Sequence, residues 1–137
     1  MSPIVSIIFC DSIQNNFING KPTPVISRPL KAITPYNLPG NFTFSIYCSI
    51  EGIKTDKKHW FRIEVKDTKN ATILSTSNAE LPMTPDVVEL PMIEFAADLR
   101  NVVLLDSGDI TAIVYVDDEK CGEEILKVIK REDINNG

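Results

Sequence analysis

From residue 41 to residue 51 the chain reads Asn-Phe-Thr-Phe-Ser-Ile-Tyr-Cys-Ser-Ile-Glu, with an apolar residue at every second place. Phe42, Phe44, Ile46, Cys48 and Ile50 fall on one side, and Thr43, Ser45, Tyr47 and Ser49 on the other. Successive side chains of an extended strand point to opposite faces, whereas a helix would scatter these five apolar groups around its circumference. The pattern dictates a strand with one face in a core and one face wet. Two more runs repeat it. In 59–66, Phe61, Ile63 and Val65 alternate with Arg62, Glu64 and Lys66; in 109–117, Ile110, Ala112, Val114 and Val116 alternate with Thr111, Ile113 and Tyr115.

Between these runs the chain is punctuated by turn chemistry. The polar segment 52–58 suits a hairpin joining the first two strands, and 67–70, 106–108 and 117–120 are rich in Asp, Asn, Ser and Gly. Residues 71–77 read as a strand pairing back, and 125–130 as the closing strand. Residues 4–10 form a continuous β-branched run, expected as a central strand covered on both sides. Pro22 and Pro24 cannot donate ladder hydrogen bonds, so a strand over 21–27 lies at an edge or starts after Pro24. Pro91 marks an edge or bulge within 87–95; 95–100 fits one helical turn and 102–105 a short strand. About eight short strands and no long amphipathic helix predict an all-β chain, an antiparallel immunoglobulin-like β-sandwich. One domain is expected over 1–130, followed by a flexible tail over 131–137.

At 137 residues, 43% hydrophobic and 24% charged, the chain has the composition of a globular domain. Its net charge of −5 disfavours nucleic acid, which needs a basic stripe. The apolar N-terminus lacks a basic region and is interrupted by Asp11, so it does not read as a signal peptide. No run approaches the length of a membrane span. Cys10, Cys48 and Cys121 have no Cys-x-x-Cys spacing and read as free thiols of a cytoplasmic protein.

The N-terminal third resembles an uncharacterised family of short bacterial β proteins, a domain of unknown function. The matching residues are Ile7-Ile8-Phe9-Cys10-Asp11-Ser12-Ile13, a strand ending in Cys-Asp, then the turn Asn19-Gly20-Lys21, then Val25-Ile26-Ser27. Ser107-Gly108-Asp109-Ile110 leading to Tyr115-Val116-Asp117-Asp118-Glu119 matches at the C-terminal end. The resemblance implies an all-β fold and a bacterial or phage origin, and it implies no activity.

Candidate chemistry is sparse. His59 is the single histidine, and a hydrolase would have to use it or Cys10, with Cys48 sitting in an apolar row. No Gly-x-Ser-x-Gly elbow or phosphate-cradling glycine loop occurs. One histidine and three distant cysteines suit no zinc site. Asp106 and Asp109 stand at one end of a strand and Asp117, Asp118 and Glu119 at the other, roughly 26 Å apart at ~3.3 Å per residue, too far to share a calcium ion. Neither a metal nor a cofactor is expected.

The wet faces hold more. If the three alternating strands share a sheet, Tyr47, Trp60, Arg62, Ile113 and Tyr115 form one outer face, the composition of a protein interface. The segment 28–40, with Pro29, Pro35, Pro39 and Tyr36, is the alternative occupant of that face as a lid. The sequence thus predicts a non-enzymatic module that binds a protein partner or a second copy of itself. The alternatives are a small-ligand binder or inhibitor of bacterial or phage origin, such as an anti-defence protein, and a hydrolase.

Overall fold

The computed structural model describes residues 4–53, 57–81 and 92–131, the side chains of 15, 18 and 21–24 excepted. Its strands are β1 (Ile4–Ile18), β2 (Lys21–Leu30), β3 (Ala32–Ile33), β4 (Gly40–Glu51), β5 (Trp60–Lys66), β6 (Thr72–Ser75), β7 (Ala79–Glu80), β8 (Met92–Leu104), β9 (Gly108–Val116) and β10 (Glu119–Val128). They form a four-stranded sheet in the order β2-β1-β4-β8 and a six-stranded sheet in the order β3-β10-β9-β5-β6, with β7 also on β5. All pairings are antiparallel except β3 with β10.

The three alternating rows build the core. Phe44, Ile46, Cys48 and Ile50 of β4, Ile63 and Val65 of β5, and Ile110, Ala112, Val114 and Val116 of β9 are buried in one cluster with Ile7, Phe9, Leu126 and Val128. Fully burying a side chain of this size contributes about 1.5–3 kcal/mol, so these rows fix which face of each strand turns inward. Phe61 and Phe95 meet between the sheets at 4.1 Å. A Cβ on Gly122 would stand 3.0 Å from Val5, so glycine lets β10 approach β1 there.

The hairpin expected across 52–58 does not form. β4 pairs with β1 and β8, while β5 pairs with β6, β7 and β9, so the chain crosses from one sheet to the other after Glu51. Alternation identifies strands but is silent on partners, and both faces of this choice bury the same rows. The helical turn expected at 95–100 is also absent: β8 runs unbroken through it. Phe95 and Leu99 are spaced for a helix, yet Phe95, Ala97 and Leu99 also alternate, and pairing with β4 decides the matter. A bulge sets Leu99 opposite Phe44 and Val102 opposite Phe42; Asn101 takes φ 56° there and donates its N–H to Thr43 Oγ1. The closing strand starts six residues before the expected 125, because a bulge between Lys120 and Gly122 breaks the period.

Of the two alternatives for 21–27 the edge strand is the one found: β2 begins at Lys21, before both prolines, and lies at the edge of its sheet. Beyond Cys10, β1 leaves β4 and continues with β2 alone as a ribbon closed by Asn19 and Gly20, both at positive φ (53° and 76°). That is the Asn-Gly geometry of a two-residue hairpin turn. β1 is not covered on both sides over 4–10: Ile4 is 66% and Ile8 36% exposed. The segment 28–40 is not a lid over β5 and β9. It ends β2, crosses to the other sheet and runs beside β10, where Lys31, Ile33 and Pro35 carbonyls accept from the N–H groups of Lys127, Ile129 and Arg131. Arg131 also lies 4.2 Å over the Tyr36 ring. Residues 132–137 of the expected tail and 87–91 of the expected Pro91 strand lie outside the described residues.

Candidate functional site

The five residues expected on one outer face lie on two. Tyr47 is on β4 in the four-stranded sheet; Trp60, Arg62, Ile113 and Tyr115 lie on β5 and β9 of the six-stranded sheet. The register there places Arg62 opposite Tyr115 and Glu64 opposite Ile113. The Arg62 guanidinium lies 4.1 Å over the Tyr115 ring, donates from Nη1 to Asp118 Oδ1 at 2.5 Å and approaches Glu64 Oε1 at 3.5 Å. Partial burial works against its charge, but the bonds to Asp118 and Glu64 outweigh it and hold the guanidinium above its ordinary value. Ile113 has the parity of the outer row and is nevertheless buried, 6% exposed. Arg62 and Tyr115 on this face are engaged with each other, while Trp60 at its edge remains 46% exposed.

The same end of the sheet holds a second knot. Asp117 and Asp118 form a two-residue turn between β9 and β10 at φ 51° and 65°. Asp117 Oδ2 bonds Nδ1 of the buried His59 at 2.5 Å, and Oδ1 accepts the Trp60 N–H at 3.0 Å. The Asp117 N–H in turn donates to the Trp60 carbonyl at 2.8 Å. Burial tends to raise the Asp117 carboxyl, but the bonds from His59 and Trp60, with the charge of His59 and Lys57, hold it below the ordinary carboxylate range. Residues 58 apart in sequence give no local signal for this bond. Only the register setting Phe61 opposite Val116 brings them together.

The outer face of the four-stranded sheet is built differently. Reading across β1, β4 and β8, its rows are Ile4–Glu51–Met92, Ser6–Ser49–Glu94, Ile8–Tyr47–Ala96 and Cys10–Ser45–Asp98. Ile4, Ile8 and Met92 are exposed, and no ion pair crosses the face among the described residues. Tyr47 lies at the centre. Burial, then a hydrogen bond to the Glu94 carboxylate and its charge, push the phenol up to about 12, so it stays a neutral donor. At one end the face is closed: Ser45 Oγ donates to Asp98 Oδ1 at 2.6 Å, and the buried Cys10 thiol donates to the Ser45 carbonyl at 3.5 Å. Ile4 and Ile8 were not legible as surface because a continuous apolar run looks like a strand buried on both sides, and Met92 fell in the 87–95 stretch whose alternation Pro91 interrupts.

The thiols are poor nucleophiles. Burial pushes Cys48 up to about 12, and it raises Cys10 with help from the Asp98 and Asp11 charges. Cys10 sits in the four-stranded sheet with Ser45 and Asp98, while His59 bonds Asp117 beside the other, so the two are not brought together. Where the ribbon leaves the sheet, a cleft of about 230 Å³ is lined by Asp11, Arg28, Thr34, Thr43 and apolar groups that include Leu30 and Phe42. Arg28 holds φ 53°, an uncommon conformation for a side-chain-bearing residue inside a strand. No group of three His, Cys, Asp or Glu side chains is placed to hold a metal ion among the described residues. Nor is any helix there long and apolar enough to cross a membrane.

These features define an all-β protein of two sheets around a shared core. The chain belongs to the family of unknown function DUF6941, which matches residues 5–129. No curated protein matches it in sequence.

Proposed function

We propose that this chain is a non-enzymatic interaction module whose working surface is the outer face of the four-stranded sheet. The observation that carries the reading is the row Ile8–Tyr47–Ala96, with Ile8 and Ala96 exposed and Tyr47 half-buried beside Glu94, together with exposed Ile4 and Met92 beyond the Ser6–Ser49–Glu94 row. Glu94 and Asp98 on β8 border this surface and Glu51 lies between Ile4 and Met92, and the chain as a whole carries −5. The partner that fits is a protein offering an apolar strip with basic residues around it. A basic rim on that partner and an acidic one here disfavour nucleic acid as the occupant. The high-lying thiols and the separation of Cys10 from His59 support binding over catalysis. Three unpaired thiols fit a cytoplasmic setting. As to the finer fold, the repeated crossing of the chain between sheets supports an immunoglobulin-like sandwich.

The test uses two baits beside the wild type, Ile8→Glu and Trp60→Glu. A protein captured from the host is identified, purified and titrated against all three. Ile8→Glu should weaken binding at least about tenfold, since it buries a charge in the strip, and Trp60→Glu should leave it unchanged. Equal loss in both, or loss in Trp60→Glu alone, would place the surface elsewhere.

The cleft favours a second reading, a small polar ligand held by Arg28 with Thr34 and Thr43. Native mass spectrometry of the purified protein tests it: a bound small molecule lost in Arg28→Ala supports the reading, and a bare chain from the native host removes it.

A further inference from the structure

Sheet edges are templates for another strand, and folds blunt them with proline, bulges, charge or brevity. Among the outermost strands here, β2 carries Pro22, Pro24 and Pro29, β3 has two residues and β6 four. The stretch of β10 that β3 leaves open carries a bulge after Lys120 together with Glu123 and Glu124. β8 differs in that its bulge lies beyond a long regular stretch and its charges, Glu94, Asp98 and Arg100, are of both signs. It has 13 residues without proline or lysine and keeps unbroken register with β4 from Met92 to Leu99. Among the described residues nothing pairs with its second edge, along which Phe95 and Ala97 of the core remain partly exposed.

The charge pattern of β8 complements itself. A strand paired antiparallel with its own two-fold copy keeps each side chain on its own face only when some residue stands opposite itself, so a register is named by that residue. Centred on Ala97, Glu94 stands across from Arg100 of the copy, twice over, and Phe95 stands across from Leu99. Centred on Ala96, Glu94 meets Asp98; centred on Asp98, that carboxylate meets itself. Centred on Leu99, Asp98 meets Arg100, but the bulge at Asn101 leaves only 98–100 in regular register there. Like charges directly opposite are destabilising and unlike charges favourable. Arg100 is exposed and makes no ion pair with the described residues, so its guanidinium is available. The bulge at Asn101 ends the regular stretch one residue beyond the last charge pair.

We infer that two copies of this chain join through β8, pairing residues 94–100 antiparallel about a two-fold axis at Ala97. The two four-stranded sheets then run on as one sheet of eight, with both outer faces side by side. This goes beyond the binding reading, since the pairing stands whether or not a partner docks on that face.

Sedimentation equilibrium of the wild type, Glu94→Arg, Arg100→Glu and the double variant tests the register, with urea unfolding of each to show that it folds. The wild type should be a dimer. Each single change sets like charges opposite at two places and should raise the dissociation constant about tenfold or more, and the double variant should return to within about threefold of the wild type. Those amides of 94–100 that point away from β4 should lose protection from hydrogen exchange in the single variants. A wild type that stays monomeric, singles that dimerise as well as the wild type, or a double variant no better than the singles would overturn the inference. Ile8→Glu should leave the dimer intact, so a failed dimer and a failed partner surface give different results.

Discussion

The two outer faces of this molecule start from the same strand pattern and end as opposite surfaces. On the six-stranded sheet Arg62 lies on Tyr115 and reaches Asp118 and Glu64, and Ile113, opposite Glu64, is buried at 6% exposure. On the four-stranded sheet the corresponding rows hold serine, alanine, Ile4, Ile8 and Met92 around Tyr47 and the carboxylates Glu51, Glu94 and Asp98. No cation lies over them among the described residues, and Ile4 remains 66% exposed. Trp60 apart, which stays 46% exposed at its edge, the charged and aromatic groups of the six-stranded face are engaged with one another. Aromatic and cationic residues on a wet face therefore do not by themselves mark an interface; what matters is whether they are already engaged.

The largest expected effect of breaking this contrast lies on the self-satisfied side. Asp117→Ala removes two bonds that fasten the β9–β10 turn to the start of β5 and takes the carboxylate from a buried histidine. It should cost about 2 kcal/mol in urea unfolding, with part of that from placing alanine at positive φ. Asp117→Asn keeps an acceptor and tolerates the backbone conformation, so its loss should be about half as large.

A smaller effect is expected in acid. The Asp117 carboxyl is held below its ordinary value of about 3.9 when folded, so its stabilisation is complete above that pH and disappears as pH falls through the lowered folded value. The acid limb of the wild type below about pH 4 should therefore be steeper than that of Asp117→Asn. Parallel limbs in the two proteins would show that the His59 and Trp60 bonds do not depress this group.

The smallest effect on stability belongs to the bare face. Ile8→Glu touches a side chain already 36% exposed and should change the unfolding free energy by no more than about 0.5 kcal/mol. A loss near that of Asp117→Ala would mean that Ile8 is part of the core and not of an open surface.

Much of the fold was legible in the sequence. Phe44, Ile63 and Val114 sit at the centres of the three alternating rows and are all buried. The prolines of β2 marked an edge, and Asn19-Gly20 and Asp117-Asp118 marked turns that the backbone angles bear out. Partner choice was not legible. Nothing in the polar segment after Glu51 distinguishes a hairpin from a crossing between sheets, and on that one ambiguity Tyr47 was grouped with Trp60. The continuity of β8 was hidden by Phe95 and Leu99, which satisfy helix and strand spacing together. The bond between His59 and Asp117 depends on β5–β9 register, which no local pattern encodes.

The most direct test of the contrast between the faces is a photo-crosslinking residue placed at position 8 or at position 66 in the native host. Both positions are outward-facing, Ile8 on the four-stranded sheet and Lys66 on the six-stranded one. Irradiation should yield a discrete adduct from position 8, identifiable by mass spectrometry, and none from position 66. Adducts from position 66 alone, or from neither, would contradict the assignment of the working surface to the four-stranded sheet.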